Sequence, residues 1–597
     1  MDRAVPFATS EGIDLYLRTY YSLLRSSGPV RVRSLEDSHA SMRSSLHLRA
    51  ESPEPDVSAF LYAWLRLPRE IIHTQNVLLG QSRDVFARRG YPDVESWQLV
   101  RAPARRRRMY FDGQATLAAF IASVSDIDDL IPILVAFQIE WNKIHHRLDT
   151  LEFQARLEVL AARETPPEPD EMVELQKWLE IGPDDMDKLQ ASFGADFIPG
   201  LLLVARREMN LTINLLAGSL TDYRKAVQVW WQTIEAETEK TRDPQPFLQD
   251  LNARPVYFVS SNTHSLPNAL TGYALRQQRT LIEFIEQGNP ETLRHQLAAI
   301  QASGDPALLA NLLYYTLRLY LTAQRSAAGA YRQAELDGGI LAIPTPAQLD
   351  VSAHVIEIGR LQLEHSDPRL HVPGMEKLAA SRALILNVDY PLGMAAYHIL
   401  SQVTTSVPEL RGAYFMGKAA TLNGRVGDVM IPNVVYDEQS ENTYLFKNCF
   451  AAADVAPYLR FGTVFDNQKS ITVRGTFLQN REFMHIFYRE GYTDIEMEAG
   501  PYLSALYEDI YARRYPVNEI VNLFINAPYD IGVLHYASDT PYSRRQELLS
   551  KSLSYFGVDS TYATTIAILR RILQNEIAAV EAAHESKTVR ATPPSSA

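Results

Sequence analysis

The spacing of apolar residues predicts that the first part of the chain is helical. Six of them recur in steps of three and four, as along one face of a long helix: Leu134, Phe137, Trp141, Ile144, Leu148 and Leu151. Similar stripes run through "SAFLYAWLRLPREIIHTQNVLLG" and "YRKAVQVWWQTIEAETEK", whereas strand patterns are scarce there. We therefore expect an all-α N-terminal region over residues 1–250.

After residue 250 the pattern changes to strands alternating with helices. "VYFV" and "AHVIEIGRL" are typical of strands in a mixed α/β middle region, which we place at residues 251–375. Five further strands are predicted in "RALILNV", "GAYFMGKAA", "GDVMIPNVVYDE", "SITVRGTFL" and "TDIEME", with helical stretches among them. This alternation predicts a multidomain protein whose residues 376–582 form an α/β domain with a central mixed sheet. Residues 583–597 are expected to be a disordered tail.

Composition narrows the classes of function. A formal charge of −13 weighs against broad binding of nucleic acid. The segment "RRRR" at 105–108 is therefore interpreted as a solvated or partner-facing patch. One cysteine excludes a Cys-based zinc site, and His145 and His146 lack a partner at metal spacing, so no metal is expected. The sequence contains neither a run of 18 apolar residues nor a signal-peptide pattern, so we expect a cytoplasmic protein without membrane contact.

Four short segments stand at predicted strand ends in the last domain, where ligands of α/β domains gather. They are "NVDYPLG" (387–393), "GKAATLNGRVGDVMIP" (417–432), "TVRGTFLQN" (472–480) with "EMEA" (496–499), and "YASD" (536–539). In this order, the set resembles the purine nucleoside phosphorylase and nucleosidase superfamily over about 200 residues. The segments "GRVGDVMIP" and "IEMEA" carry most of the resemblance.

The resemblance implies a sugar pocket at "EMEA". Glu498 matches the glutamate that accepts hydrogen bonds from the ribose 2′ and 3′ hydroxyls, and Met497 matches the methionine that packs against the sugar. Glu496 lies two residues from Glu498, so on a strand both carboxylates point to one face. Burial of two carboxylates on an apolar face would cost free energy. The pair is therefore expected either in contact with water or around a ligand.

The base-binding and catalytic residues are also implied by the resemblance. Phe477 matches the aromatic residue beside the base, with Leu478 next to it. Asp539 matches the acid that protonates, or donates a hydrogen bond to, N7 of the departing purine. Each candidate has a plain structural alternative. Glu498 could be a solvated strand end, Phe477 a core residue and Asp539 a helix N-cap.

Two departures from the superfamily pattern bear on the attacking group. The first loop, "NVDYPLG", lacks the arginine of phosphorolytic members, which favours water, and Asp389 could orient that water. Lys418 and Arg474 could still bind an anion, either free phosphate or a nucleotide 5′-phosphate.

The expected function is cleavage of the N-glycosidic bond of a purine nucleoside or nucleotide, by hydrolysis rather than phosphorolysis. The alternative is a noncatalytic protein that keeps the fold to sense a nucleotide or to scaffold an assembly. We expect no cofactor, possible use of phosphate, and a homo-oligomer.

Overall fold

The computed structural model describes most of the chain. The described residues are 11–26, 28–163, 165–240, 250–346, 349–511, 514–523, 527–540 and 555–591. Within these ranges, none of the helices is both long and apolar enough to cross a bilayer.

The N-terminal region contains ten helices and six strands among its described residues. The helices are α1 (Glu11–Arg25), α2 (Glu36–Ser41), α3 (Val57–Trp64), α4 (Arg83–Arg88), α5 (Val124–Leu148), α6 (Leu151–Ala161), α7 (Pro169–Leu179), α8 (Pro183–Phe193), α9 (Phe197–Arg206) and α10 (Leu220–Glu239). The strands are β1 (Val30–Arg31), β2 (Asn76–Gly80), β3 (Gln98–Ala102), β4 (Arg105–Phe111), β5 (Thr116–Phe120) and β6 (Thr212–Leu215).

The prediction of an all-α N-terminal region is wrong. Its six strands form one mixed sheet in the order β1-β6-β2-β5-β4-β3, in which β2 is parallel to both β5 and β6. These strands span two to seven residues and include runs such as "NVLLG" and "TLAAF". Apolar runs this short cannot be distinguished from buried helix segments by periodicity. The predicted stripes at α5 and α10 are nevertheless helices.

The rest of the chain contributes the remaining elements. The helices are α11 (Ser265–Thr271), α12 (Tyr273–Arg276), α13 (Gln278–Gly288), α14 (Leu293–Ser303), α15 (Pro306–Ala323), α16 (Arg325–Asp337), α17 (Met394–Ser406), α18 (Ala452–Val455), α19 (Arg481–Arg489), α20 (Ala499–Ile510) and α21 (Val558–Ala591). The strands are β7 (Val256–Ser261), β8 (Ile340–Ile343), β9 (Ala353–Glu357), β10 (Leu384–Asp389), β11 (Leu410–Thr421), β12 (Val429–Asp437), β13 (Asn442–Leu445), β14 (Val464–Thr472), β15 (Asp494–Glu496), β16 (Ile520–Asn522) and β17 (Asp530–Asp539).

These eleven strands form a second mixed sheet, as the sequence predicts for its last domain. Strands β10, β7, β11 and β17 are parallel neighbours. The pairs β11–β17, β17–β12, β12–β14, β14–β15 and β15–β11 close into a ring, so part of the sheet is a small barrel. Because β7, β8 and β9 belong to this sheet, the boundary predicted near residue 375 does not separate two sheets.

The predicted disordered tail overlaps the last helix. Helix α21 continues to Ala591, and residues 592–597 lie outside the described residues.

A segment of the C-terminal region completes the hydrophobic core of the N-terminal region. Phe477 and Leu478 are each 1% exposed and pack within that core. The backbone N–H of Ser45 donates to the Gln479 carbonyl at 2.7 Å, and Asn480 Nδ2 donates to the Met42 carbonyl at 3.0 Å. The two regions are therefore joined by a shared core as well as by polar contacts.

Candidate functional site

A cavity of about 460 Å³ is lined by residues from both sheets. The C-terminal sheet contributes the ends of β11, β15 and β17, and the N-terminal region contributes β4 together with residues that follow α3. Five of the candidate site residues lie in its wall: Lys418, Glu496, Met497, Glu498 and Asp539. A volume of several hundred cubic ångströms is typical of small-molecule sites.

The strand pairing explains why the C-terminal sheet opens at Lys418. On one edge of β11 the pairing with β7 ends at Phe415, and the pairing with β15 begins at Ala420. Lys418 lies between these two pairings and is exposed to the cavity. On the other edge Ala420 is opposite Asp539 of β17, which brings that carboxylate to the same opening.

Glu496 holds the start of α20 instead of facing a ligand freely. Its Oε2 accepts hydrogen bonds from the backbone N–H groups of Glu498 at 2.6 Å and Ala499 at 2.7 Å. Its Oε1 accepts from the Thr472 hydroxyl, and the residue is 4% exposed although it borders the cavity. This carboxylate therefore caps a helix and positions Glu498.

Glu498 carries an electrostatic penalty for ionisation. Burial and the neighbouring Glu496 carboxylate raise its pKa to about 8, although His535 and Arg105 favour the charged form. His535 is buried, and its Nδ1 lies 2.6 Å from Asp494 Oδ2. Burial lowers the pKa of His535, but the Asp494, Glu496 and Glu498 carboxylates reverse this and raise it above its ordinary value. These carboxylates therefore favour the protonated, cationic form of the His535 imidazole.

Asp539 presents one unpaired oxygen at the cavity. Its Oδ2 accepts a hydrogen bond from Ser538 Oγ at 2.8 Å, whereas Oδ1 is buried and has no hydrogen-bond partner among the described residues. Burial raises the pKa of Asp539, and Ser538, Arg66 and Lys418 oppose that shift. The helix that Asp539 was expected to cap as an alternative role would fall in residues 541–554, outside the described residues.

The "RRRR" segment is strand β4, and its first three residues line the cavity. The interpretation as a solvated or partner-facing patch is therefore wrong. Arg105 Nη2 donates to Asp129 at 2.5 Å. Arg107, 3% exposed, donates to Asp126 at 2.9 Å and to Asp129 at 3.1 Å. Strand alternation sends both arginines to one face, where α5 supplies the carboxylates.

Arg106 and Arg108 point to the opposite face of β4. Arg106 forms an ion pair with Asp389, and Arg108 lies 3.5 Å from Asp350. Asp389 is 6% exposed and lies behind the cavity wall, with Oδ1 buried and unpartnered among the described residues. An arginine therefore stands at the first loop, although it comes from β4 and not from the loop itself.

Three predicted site residues lie away from the cavity. Phe477 packs against Tyr62, with ring centroids 5.3 Å apart, and belongs to the core with Leu478. Arg474 Nε donates to the Glu438 carbonyl at 3.0 Å, and the Arg474 backbone N–H donates to the Glu438 carboxylate at 3.2 Å. Neither Phe477 as a base contact nor Arg474 as an anion ligand fits these positions.

The sequence also missed residues that the structure brings to the cavity. Arg66 and Arg318 line it, and His535 lies behind it. Single basic residues within helical patterns carry no signal that distinguishes them from surface residues. The sequence analysis also missed an acidic partner of His145 and His146. One possible ligand atom from each of His145, His146 and Asp149 lies within 4.8 Å of the other two, and His146 and Asp149 are exposed.

The chain belongs to a family of unknown function, DUF6909, whose model matches residues 32–574. A search of the curated proteins finds no match.

Some solved structures are similar to part of the chain. A putative methylthioadenosine nucleosidase from Weissella paramesenteroides is 11% identical, with 38% of this chain and 87% of that chain covered, at a TM-score of 0.25. A putative 5′-methylthioadenosine/S-adenosylhomocysteine nucleosidase from Borrelia burgdorferi, bound to adenine, is 11% identical. The match covers 40% of this chain and 94% of that chain, at a TM-score of 0.26. A uridine phosphorylase from Schistosoma mansoni, in complex with thymine, is 12% identical. The match covers 41% of this chain and 84% of that chain, at a TM-score of 0.27. Likenesses this weak carry no argument about function.

Proposed function

We propose that the cavity cleaves the N-glycosidic bond of a purine nucleoside or nucleotide, within a nucleoside-phosphorylase-like fold. The observation that carries the proposal is that Lys418, Met497, Glu498 and Asp539, from three separate segments, line one cavity. They come from sequence motifs that resemble one superfamily, and a shared cavity is what a common role requires. Glu496 supports the site by fixing the backbone at Glu498.

The roles follow from the charges that develop during cleavage. When the bond between C1′ and N9 breaks, its electron pair leaves with the base and the sugar becomes cationic. Asp539 donates a proton to N7 of the base, and the Glu498 carboxyl group accepts hydrogen bonds from the ribose diol. Water adds to C1′ and releases a proton to the solvent, and Asp539 regains a proton from the solvent, which completes the hydrolysis. Because burial raises the pKa of Asp539, its acid form persists to a higher pH than that of a free aspartate.

One observation favours the noncatalytic alternative. Asp389, the candidate for orienting water, is held in an ion pair with Arg106 and lies outside the cavity wall. A nucleotide sensor would use Glu498 and Lys418 for binding and would need neither Asp389 nor proton transfer from Asp539.

The experiment measures release of free base from adenosine, inosine and AMP by the purified chain, with and without phosphate. Asp539→Asn keeps the shape of the side chain but removes the transferable proton. It should lower kcat about 10²- to 10⁴-fold and leave KM nearly unchanged. Wild-type kcat should fall as pH rises through the raised pKa of Asp539, because the acid form is then lost.

The matched control is Asp337→Asn, which changes an exposed aspartate at the end of α16. It should leave both kcat and KM unchanged. Near-wild-type kcat in Asp539→Asn on a confirmed substrate would exclude Asp539 as the acid. Ligand binding without base release would favour the sensor. Appearance of ribose 1-phosphate would replace water with phosphate as the attacking group.

We further propose that the protein is a cytoplasmic homo-oligomer. The single cysteine supports a reducing compartment. Light scattering after size-exclusion chromatography measures the assembly directly, and a mass of 67.4 kDa would show a monomer instead.

A further inference from the structure

Three basic side chains in the cavity wall form no close ion pair among the described residues. Arg66, Arg318 and Lys418 form no ion pair within 4 Å among the described residues. The neighbouring Arg105 and Arg107, by contrast, are neutralised by Asp126 and Asp129. Asp539 is the acidic group that interacts with both Arg66 and Lys418, so in this part of the wall one carboxylate faces several cations.

These cations are gathered around Lys418. Burial lowers the pKa of Lys418 to about 8, Asp539 opposes this, and the positive charges of Arg106, Arg66 and Arg318 lower it further. The three arginines come from separate parts of the chain: β4, the turn after α3, and α15. Such mutual repulsion costs stability unless an anion relieves it.

Arg66 is held in place but keeps free donors. Its guanidinium carbon lies 3.4 Å from the centroid of the Tyr62 ring, and its Nη1 donates to the Tyr62 carbonyl at 3.1 Å. Its Nε is buried without a hydrogen-bond partner among the described residues. A guanidinium fixed in this way is prepared to donate two parallel hydrogen bonds to two oxygens of an anion such as a phosphate.

We propose that Arg66, Arg318 and Lys418 bind a phosphoryl dianion, so that the substrate of the proposed cleavage is a nucleoside 5′-monophosphate. This inference rests on the proposed function. Inorganic phosphate has the same chemistry, and the experiment below separates the two sources. Arg106 of β4 stands beside the first loop, which has no arginine of its own, and its charge is paired with Asp389.

The test is calorimetric titration of the whole chain with AMP, adenosine and inorganic phosphate at fixed ionic strength. The wild type should bind AMP about 10- to 100-fold more tightly than adenosine. Lys418→Gln and Arg318→Gln should each weaken AMP binding about 10-fold or more and leave adenosine binding unchanged. Arg279→Gln, which removes an exposed charge on α13, is the matched control and should change neither.

The outcomes separate the anion site from the proposed function. If the wild type binds AMP more tightly than adenosine and both variants reduce this difference, the result supports the phosphate ester of a nucleotide as the ligand. Phosphate binding that both variants reduce, without AMP preference, supports inorganic phosphate as the ligand. Equal affinity for AMP and adenosine with no binding of phosphate would overturn the inference, as would variants that lose adenosine as strongly as AMP. AMP binding without base release would uphold the anion site and remove the cleavage proposal.

Thermal unfolding of each variant is the second measurement. Both substituted side chains face the cavity and form no close ion pair among the described residues, so their removal should leave Tm unchanged or raise it. A variant that fails to fold would show that its charge is structural and would overturn the inference for that residue.

Discussion

The two sheets differ in how they handle charge, and the cavity lies where they meet. In the N-terminal region the arginines of β4 at positions 105 and 107 are matched by carboxylates of α5. At the cavity edge of the C-terminal sheet, Lys418 and Glu498 are held near charges of their own sign. The first arrangement stabilises a fold, whereas the second stores unfavourable electrostatics that a ligand can relieve. We therefore expect the edge of the C-terminal sheet and Arg66 to contact the ligand, whereas the charge pairs of β4 support the fold.

The largest effect is expected on the supporting side, at Arg107. Arg107→Met leaves the carboxylates of Asp126 and Asp129 buried with fewer partners, because Arg107 contacts both. Loss of one partner of a buried ion pair costs about 3–5 kcal/mol. Chemical denaturation should show this loss in the free energy of unfolding.

Arg108→Gln is the matched control for Arg107. Arg108 lies on the same strand and contacts the half-exposed Asp350 at 3.5 Å, so its loss should cost at most about 1 kcal/mol. Equal losses in the two variants would contradict the claim that charge pairing supports this sheet.

The second effect concerns the core shared by the two regions. Phe477→Leu removes ring contacts with Tyr62 and His39 and should lower the free energy of unfolding by about 1–2 kcal/mol. Because Phe477 lies in the core and not in the cavity wall, KM for a confirmed substrate should not change. A raised KM with unchanged Tm would return Phe477 to the role of a base contact.

The smallest effect is a gain in stability at Glu498. Its pKa of about 8 lies above the ordinary value, so the folded state retains a proton that the unfolded state loses between about pH 4.5 and 8. Stability from this group is thus present at low pH and declines as pH rises through that window. Glu498→Gln should raise the free energy of unfolding at pH 8 by on the order of 1 kcal/mol, and by less at pH 5.

The control for Glu498 is Glu490→Gln, an exposed glutamate that follows α19. It should show little difference between pH 5 and pH 8. A loss of stability in Glu498→Gln at pH 8 would show that the carboxylate is a structural partner and not a strained ligand group.

Most of the C-terminal sheet could be predicted because its strands have a clear apolar pattern in the sequence. Strands β10 and β11 are nearly continuous apolar runs, as expected for buried parallel strands. Met497, Glu498, Lys418 and Asp539 could be found because short motifs at strand ends carry their own pattern. Phe477 could not be placed, since an aromatic residue near a strand end looks the same whether it faces a cavity or a core.

The cavity residues of the N-terminal region could not be predicted from the sequence, for a different reason. The meaning of "RRRR" depends on partners far along the chain, above all Asp389, which follows Arg106 by more than 280 residues. The spacing of residues along the sequence predicts an ion pair only when both partners belong to one helix or one hairpin. The same limit applies to Arg66 and Arg318, whose role depends on their shared position around Lys418.

The insertion of Phe477 into the N-terminal core has a consequence for biosynthesis. The last strand of the N-terminal sheet, β6, leaves the ribosome about 260 residues before Phe477. At about 5–20 residues per second, the growing chain must keep that core incomplete for roughly 10 to 50 s. During this interval the apolar surface that Phe477 and Leu478 later cover is open to chaperones and to aggregation.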